Sequence, residues 1–131
     1  MVWVTNATRG AVLAENALAG ESFWVRLRGL LGKRALLPGQ GLLMAPCRAV
    51  HTFGMRFPID VVYITQERRV IRVATTMPPN RCGPWVKGSY YVLELPAGTV
   101  ARTGTVVGDR IEMALAEDVE ASVGAVPGVS R

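Results

Sequence analysis

The chain has 131 residues, half of them apolar and 19% charged, with two cysteines, one histidine and a net charge of +5. That is enough for one globular domain with its own core, and it excludes a disordered chain or a disulfide framework. No apolar run approaches the ~18 residues needed to cross a bilayer. Met1 to Asn6 lacks a basic start followed by an apolar run, so a cytoplasmic protein without a membrane span is expected.

Val2–Thr5 and Ala11–Ala14 are short apolar runs around Asn6-Ala7-Thr8-Arg9-Gly10, which reads as a hairpin. In the segment from Glu21 to Gly32, Phe23, Leu27, Leu30 and Leu31 share one helical face. Ser22 is a candidate N-cap there, and Gly29 or Gly32 a stop. Leu42–Ala45 reads as a buried strand ended by Pro46. After Phe57-Pro58, residues 59–65 and 70–74 form a strand pair across the polar turn Gln66-Glu67-Arg68-Arg69. Met77 to Trp85 carries three prolines and a glycine and cannot hold regular structure. Ser89–Leu95 is the clearest strand, broken by Pro96. Thr99 is the expected cap of a short helical turn ending at Gly104, and Gly108-Asp109 turns into a last strand at Ile111–Leu115. Residues 116–131 lose periodicity and read as a poorly ordered tail. Seven short strands and one substantial helix give one α+β domain over residues 1–115, mostly β. It is expected as a small barrel-like sheet, antiparallel or mixed.

Several segments recur in order: Leu27-Arg28-Gly29-Leu30-Leu31-Gly32-Lys33, Gly41-Leu42-Leu43, His51-x-Phe53-x-Met55-x-x-Pro58-Ile59-Asp60-Val61, Val92-Leu93-Glu94-Leu95-x-Ala97-Gly98, and Gly108-Asp109. In this the chain resembles the uncharacterised bacterial and archaeal family catalogued as domain of unknown function 192, over roughly residues 2–115. The resemblance implies a single compact β-barrel-like domain with a helix across one end. It implies no reaction, and Cys47 and Cys82 stand outside the shared pattern.

Residues 51–62 pack a His, two aromatics, a Met, an Arg and an Asp onto an apolar ribbon, the profile of a pocket edge. Asp60 and Glu94 are carboxylates embedded in strand sequence, too costly to bury unless paired or facing a cavity. They are expected on the same side of the barrel, with Arg56 or backbone N–H groups as partners. The competing role for Asp60 is structural, pinning the loop before its strand by accepting backbone N–H bonds. His51 and Cys47 are four residues apart, but no third residue orients a catalytic pair. A zinc site from Cys47, His51, Cys82 and Asp60 lacks paired spacing, so no metal and no cofactor is expected. Phe53, Met55, Phe57 and Trp85 are core residues or the wall of an apolar cleft.

The charge is +3 over residues 1–47, +5 over 48–87 and −3 beyond. Thirteen of the fifteen cations are arginine, and none clusters with aromatics as a nucleic-acid stacking platform would need. The leading expectation is a domain that binds a small ligand or peptide through His51, Phe53, Met55, Arg56, Asp60, Trp85 and Glu94. The alternative is a hydrolase-type enzyme with Asp60 or Glu94 as general acid/base. A more distant one is a nucleic-acid binder built on the Leu95–Ile111 corner, which resembles swapped-hairpin barrels. Ligand identity, catalysis and oligomeric state stay open at this level.

Overall fold

A computed structural model describes residues 1–19, 36–50 and 56–115. The helix expected over 21–32 and the tail over 116–131 lie outside the described residues. Among the described residues seven strands are present: β1 (Val2–Asn6), β2 (Ala11–Leu18), β3 (Gln40–Met44), β4 (Ile59–Ile64), β5 (Val70–Met77), β6 (Tyr91–Pro96) and β7 (Ile111–Leu115). One short helix, α1 (Thr99–Thr103), lies between β6 and β7. The expected α+β class, mostly β, is what the chain adopts.

The strands form one sheet in the order β5-β4-β6-β3-β2-β1-β7. Every neighbouring pair is antiparallel except β2 and β3, which run parallel in register Ala17 to Gly41. The sheet is therefore mixed. Side chains alternate across a strand, and β4 supplies both faces of the sheet. Ile59, Val61 and Tyr63 join one apolar cluster with Leu42, Val50, Phe57 and Val92. Val62 and Ile64 join the other, with Val4, Leu13, Leu93, Leu95, Val100 and Ile111. All six residues of β4 are buried, which is why its sequence reads as a nearly unbroken apolar run.

The sheet does not close into a barrel, and this corrects the barrel expectation. Its end strands meet only at one isolated bridge, Arg69 opposite Arg110. Three backbone bonds hold that contact: Ile111 N–H to Arg68 O at 2.8 Å, Val70 N–H to Asp109 O at 2.9 Å and Gly108 N–H to Val70 O at 2.8 Å. Closure needs a continuous staggered ladder between first and last strands. Here two like charges oppose each other at the only pair, a destabilising arrangement, and β5 beyond it stays on β4.

Local signals set most element ends. Gly108 turns the chain at φ 97 and Gly104 caps α1 at φ 70, both conformations that glycine adopts without a Cβ penalty. The start of α1 differs from expectation. Gly98 is its N-cap, and the Thr99 hydroxyl instead donates back to Pro96 O at 2.7 Å. β6 begins at Tyr91 rather than Ser89, because the Ser89 hydroxyl is drawn to Cys47 O at 2.9 Å.

Candidate functional site

Asp60 and Glu94 have opposite fates. In the β4–β6 ladder Glu94 pairs with Val61 and Asp60 with Leu95. Glu94 therefore shares the face of Val61, Tyr63 and Val92, and Asp60 points to the other face. The expectation that the two carboxylates share one side is corrected by this register: an even residue of β4 pairs with an odd residue of β6.

Asp60 is fully buried and fully engaged. One carboxylate oxygen accepts from Thr76 N–H at 2.8 Å, and the other from Gly98 N–H at 3.1 Å and Val100 N–H at 2.9 Å. The latter two are N–H groups at the start of α1 that the helix itself cannot satisfy. The side chain thus ties β4 to the end of β5 and to the entry of α1.

Glu94 is 4% exposed and makes no hydrogen bond among the described residues. Burial among apolar side chains pushes its carboxyl up to about 7. Leu42 of β3 and Val61 of β4 are its cross-strand neighbours.

Tyr63 lies on the same face as Glu94 and is not among the residues singled out from the sequence. Its side chain is wholly buried on the same face, and its hydroxyl has no hydrogen-bond partner among the described residues. Burial raises the phenol above its ordinary value, Arg72 pulls the other way, and Cys47 and Glu94 add to the rise. The available signal was a second polar side chain, besides Asp60, in the strand Ile59-Asp60-Val61-Val62-Tyr63-Ile64.

Two irregular segments roof this part of the face. Residues 45–50 and 83–86 are joined by Gly83 N–H to Val50 O and Val86 N–H to Arg48 O, both at 2.8 Å. A Cβ at Gly83 would come within 2.9 Å of the Tyr63 hydroxyl oxygen and 3.2 Å of Val50 O, so only glycine fits without movement. Trp85 lies on the outside of this roof, 65% exposed, with the Arg48 guanidinium 5.6 Å from its ring centre. Arg56 is exposed. His51, Phe53 and Met55 lie outside the described residues. The Cys47 thiol donates to Ala49 O at 3.1 Å, and Cys82 is exposed. Among the described residues no three His, Cys, Asp or Glu side chains are grouped to hold a metal ion.

Two further features stand apart from this face. Where the sheet fails to close, an open cleft of about 550 Å³ is lined by Trp3, Thr5, Glu67, Arg68 and residues 110–114. Beside it is a buried polar cluster. Asp109 accepts from Asn6 at 2.9 Å, Arg9 at 3.1 Å and Val106 N–H at 3.0 Å, while Asn6 also donates to Thr105 at 3.0 Å. Burial works against the charge on Asp109, but these bonds and the Arg9 charge outweigh it and hold the carboxyl below its ordinary range. Every member is satisfied, and the cluster pins the β1–β2 turn to the start of β7.

Comparison with known proteins agrees with this architecture. The fold matches a crystal structure of a protein of unknown function from Novosphingobium aromaticivorans at a TM-score of 0.68, with 24% identity over 85% of this chain and 82% of that one. It also matches a putative transcription regulator from Sinorhizobium meliloti at a TM-score of 0.59, with 25% identity over 86% of this chain and 91% of that one. The curated proteins give no match. Residues 4–113, the whole sheet but for its first and last few positions, match the family profile described as Uncharacterized ACR, and the chain belongs to that family, DUF192.

Proposed function

We propose that this domain binds a small molecule or peptide segment on the sheet face that carries Glu94 and Tyr63. The observation behind this reading is the buried Tyr63 hydroxyl, which has no hydrogen-bond partner among the described residues, and on the adjacent strand the Glu94 carboxyl, raised to about 7 by burial. Buried polar groups are almost always paired, and an unpaired one costs about 1–3 kcal/mol. Two of them on one apolar face make a small set of placed polar groups in a greasy surround, the usual composition of a ligand site. Asp60 has no such vacancy, so its part here is to fix β4 and α1. Trp85 and Arg48 form an exposed aromatic–cation pair on the roof, available to the outer end of a ligand.

The test is a fragment screen on isotope-labelled protein, followed by titration of each hit. The reading expects shifts concentrated in β4, β6 and residues 45–50. Hits that map instead to the cleft beside β7 and Trp3 would overturn it.

A second reading, a hydrolase-type enzyme, is favoured by one observation. A carboxyl raised to about 7 is matched to proton transfer at neutral pH. Such an activity would show a pH–rate inflection near that value and would vanish in Glu94→Gln.

A further inference from the structure

We propose that residues 83–86 form a lid over Tyr63, closed in this structure, which lifts as a strap and brings the Tyr63 hydroxyl into contact with solvent. This deepens the binding reading above by giving that face a way in, and the opening is measurable without any ligand.

The need for a moving part follows from the enclosure. Tyr63 is wholly buried, so nothing in solution reaches its hydroxyl while the roof is shut. The floor is fixed, because β4 is paired along its length with β6 and is flanked by β5, while β6 is held on its other edge by β3. Access therefore has to come from the irregular chain above the face.

The two roof segments are anchored unequally. Residues 45–50 are tied to the start of β6. Cys47 N–H donates to Tyr90 O at 2.9 Å, and Cys47 O accepts from the Ser89 hydroxyl at 2.9 Å. Among the described residues, the backbone bonds of 83–86 run only to residues 48–50 and to Ser89. They are Gly83 N–H to Val50 O and Val86 N–H to Arg48 O, both at 2.8 Å, and Ser89 N–H to Val86 O at 3.2 Å. Pro84 has no N–H to add. Val86 is the one buried side chain of the segment, in the cluster that holds Tyr63 and Val50. Trp85 stays outside, and its contact with Arg48 faces solvent. Gly88, at φ 90, stands just beyond the segment, where a backbone rotation meets no Cβ penalty.

The closed position also works against itself. Gly83 is packed against the Tyr63 hydroxyl, so closely that a Cβ there would come within 2.9 Å of its oxygen. The Gly83 N–H, the nearest donor on the strap, is committed to Val50 O, and the hydroxyl is left with no partner among the described residues. A buried polar group without a partner favours any state in which it meets water. Two backbone bonds and one valine hold the lid down, and an unhydrated hydroxyl opposes them. That balance makes local opening cheaper than unfolding of the sheet beneath.

The experiment is amide hydrogen exchange on the full chain, comparing wild type with Tyr63→Phe. Gly83 and Val86 report the lid, and Cys47 and the amides of β4 and β6 serve as references. In wild type the two lid amides should exchange faster than the references, in a separate step. Tyr63→Phe keeps the ring and removes the hydroxyl, so the closed lid no longer covers an unpartnered polar group. Exchange at Gly83 and Val86 should then slow about tenfold relative to the references, the equivalent of one such group. Val86→Ala removes the buried anchor and should speed exchange at Gly83 while the references hold. Lid amides that exchange in step with the references in wild type would overturn the lid. A ratio unchanged in Tyr63→Phe, or Gly83 unmoved in Val86→Ala, would overturn it too. The binding reading fails separately: a lid that opens as expected, over a face where no fragment shifts β4 or β6, would leave the lid and sink that reading.

Discussion

Asp60 and Glu94 sit one strand apart and are both shielded from solvent, yet one is held by three backbone donors and the other by none that the described residues supply. Replacing Asp60 with Asn turns one acceptor oxygen into an amide donor facing backbone N–H groups. The fold should lose about 1–3 kcal/mol, the usual cost of an impaired buried polar group, read as a lowered midpoint in urea. Glu94 behaves in the reverse sense. The unfolded chain sheds that proton near 4.5 and the folded chain near 7, so between those values the folded state holds more protons and stability falls as the pH rises. The loss is absent below 4.5, complete above 7, and on the order of 3 kcal/mol in full. Glu94→Gln cannot ionise. Its stability should be nearly flat across this window, and above pH 7 it should exceed wild type in the same urea titration. A variant that follows the wild-type slope would show that the carboxyl is not the group responsible.

At the scale of elements, alternation and punctuation in the sequence carried most of the information. β4, β5, β6 and β7 were legible because β-branched runs are bounded by Pro58, the 66–69 turn, Pro96 and Gly108-Asp109. The site was less legible for a physical reason. Both carboxylates were visible, but their faces depend on the offset between β4 and β6, which no local pattern encodes. Tyr63 was hidden because a tyrosine in an apolar strand reads as core. The roof over Tyr63 was legible only as irregular chain, although Gly83 is its tightest point. Gly83→Ala places a methyl group within 2.9 Å of the Tyr63 hydroxyl oxygen and 3.2 Å of Val50 O. The Tyr63 ring is wholly buried in its cluster, so the 83–86 segment is expected to lift from residues 48–50. Hydrogen exchange should therefore speed up at Gly83 and Val86, whose N–H groups hold the roof, while β4 and β6 keep their protection. Unchanged exchange at both residues would mean that the roof already has room for the methyl.

For the whole molecule, the sheet carries an apolar cluster on each face and an unclosed seam between β5 and β7. The seam also shows how the charge is arranged. Arg9 is committed to Asp109, Arg48 lies over Trp85, Arg68 over Tyr91, and Arg110 is 3.9 Å from Glu112. These cations stand on different elements, and each already has a partner within the chain. Among the described residues these four cations are dispersed rather than lined along one groove, and the net charge of +5 gives a general attraction for polyanions. Duplex DNA should bind weakly, without preference for sequence, and log affinity should fall linearly with log salt through counterion release alone. By ~200 mM salt the complex should be gone, a range in which specific complexes persist. Fluorescence anisotropy with two unrelated duplexes over a salt series reads both quantities. Binding to one duplex that outlasts the other at high salt would require a set of base contacts, and would move the functional surface from the Glu94 face to the arginine-bearing seam.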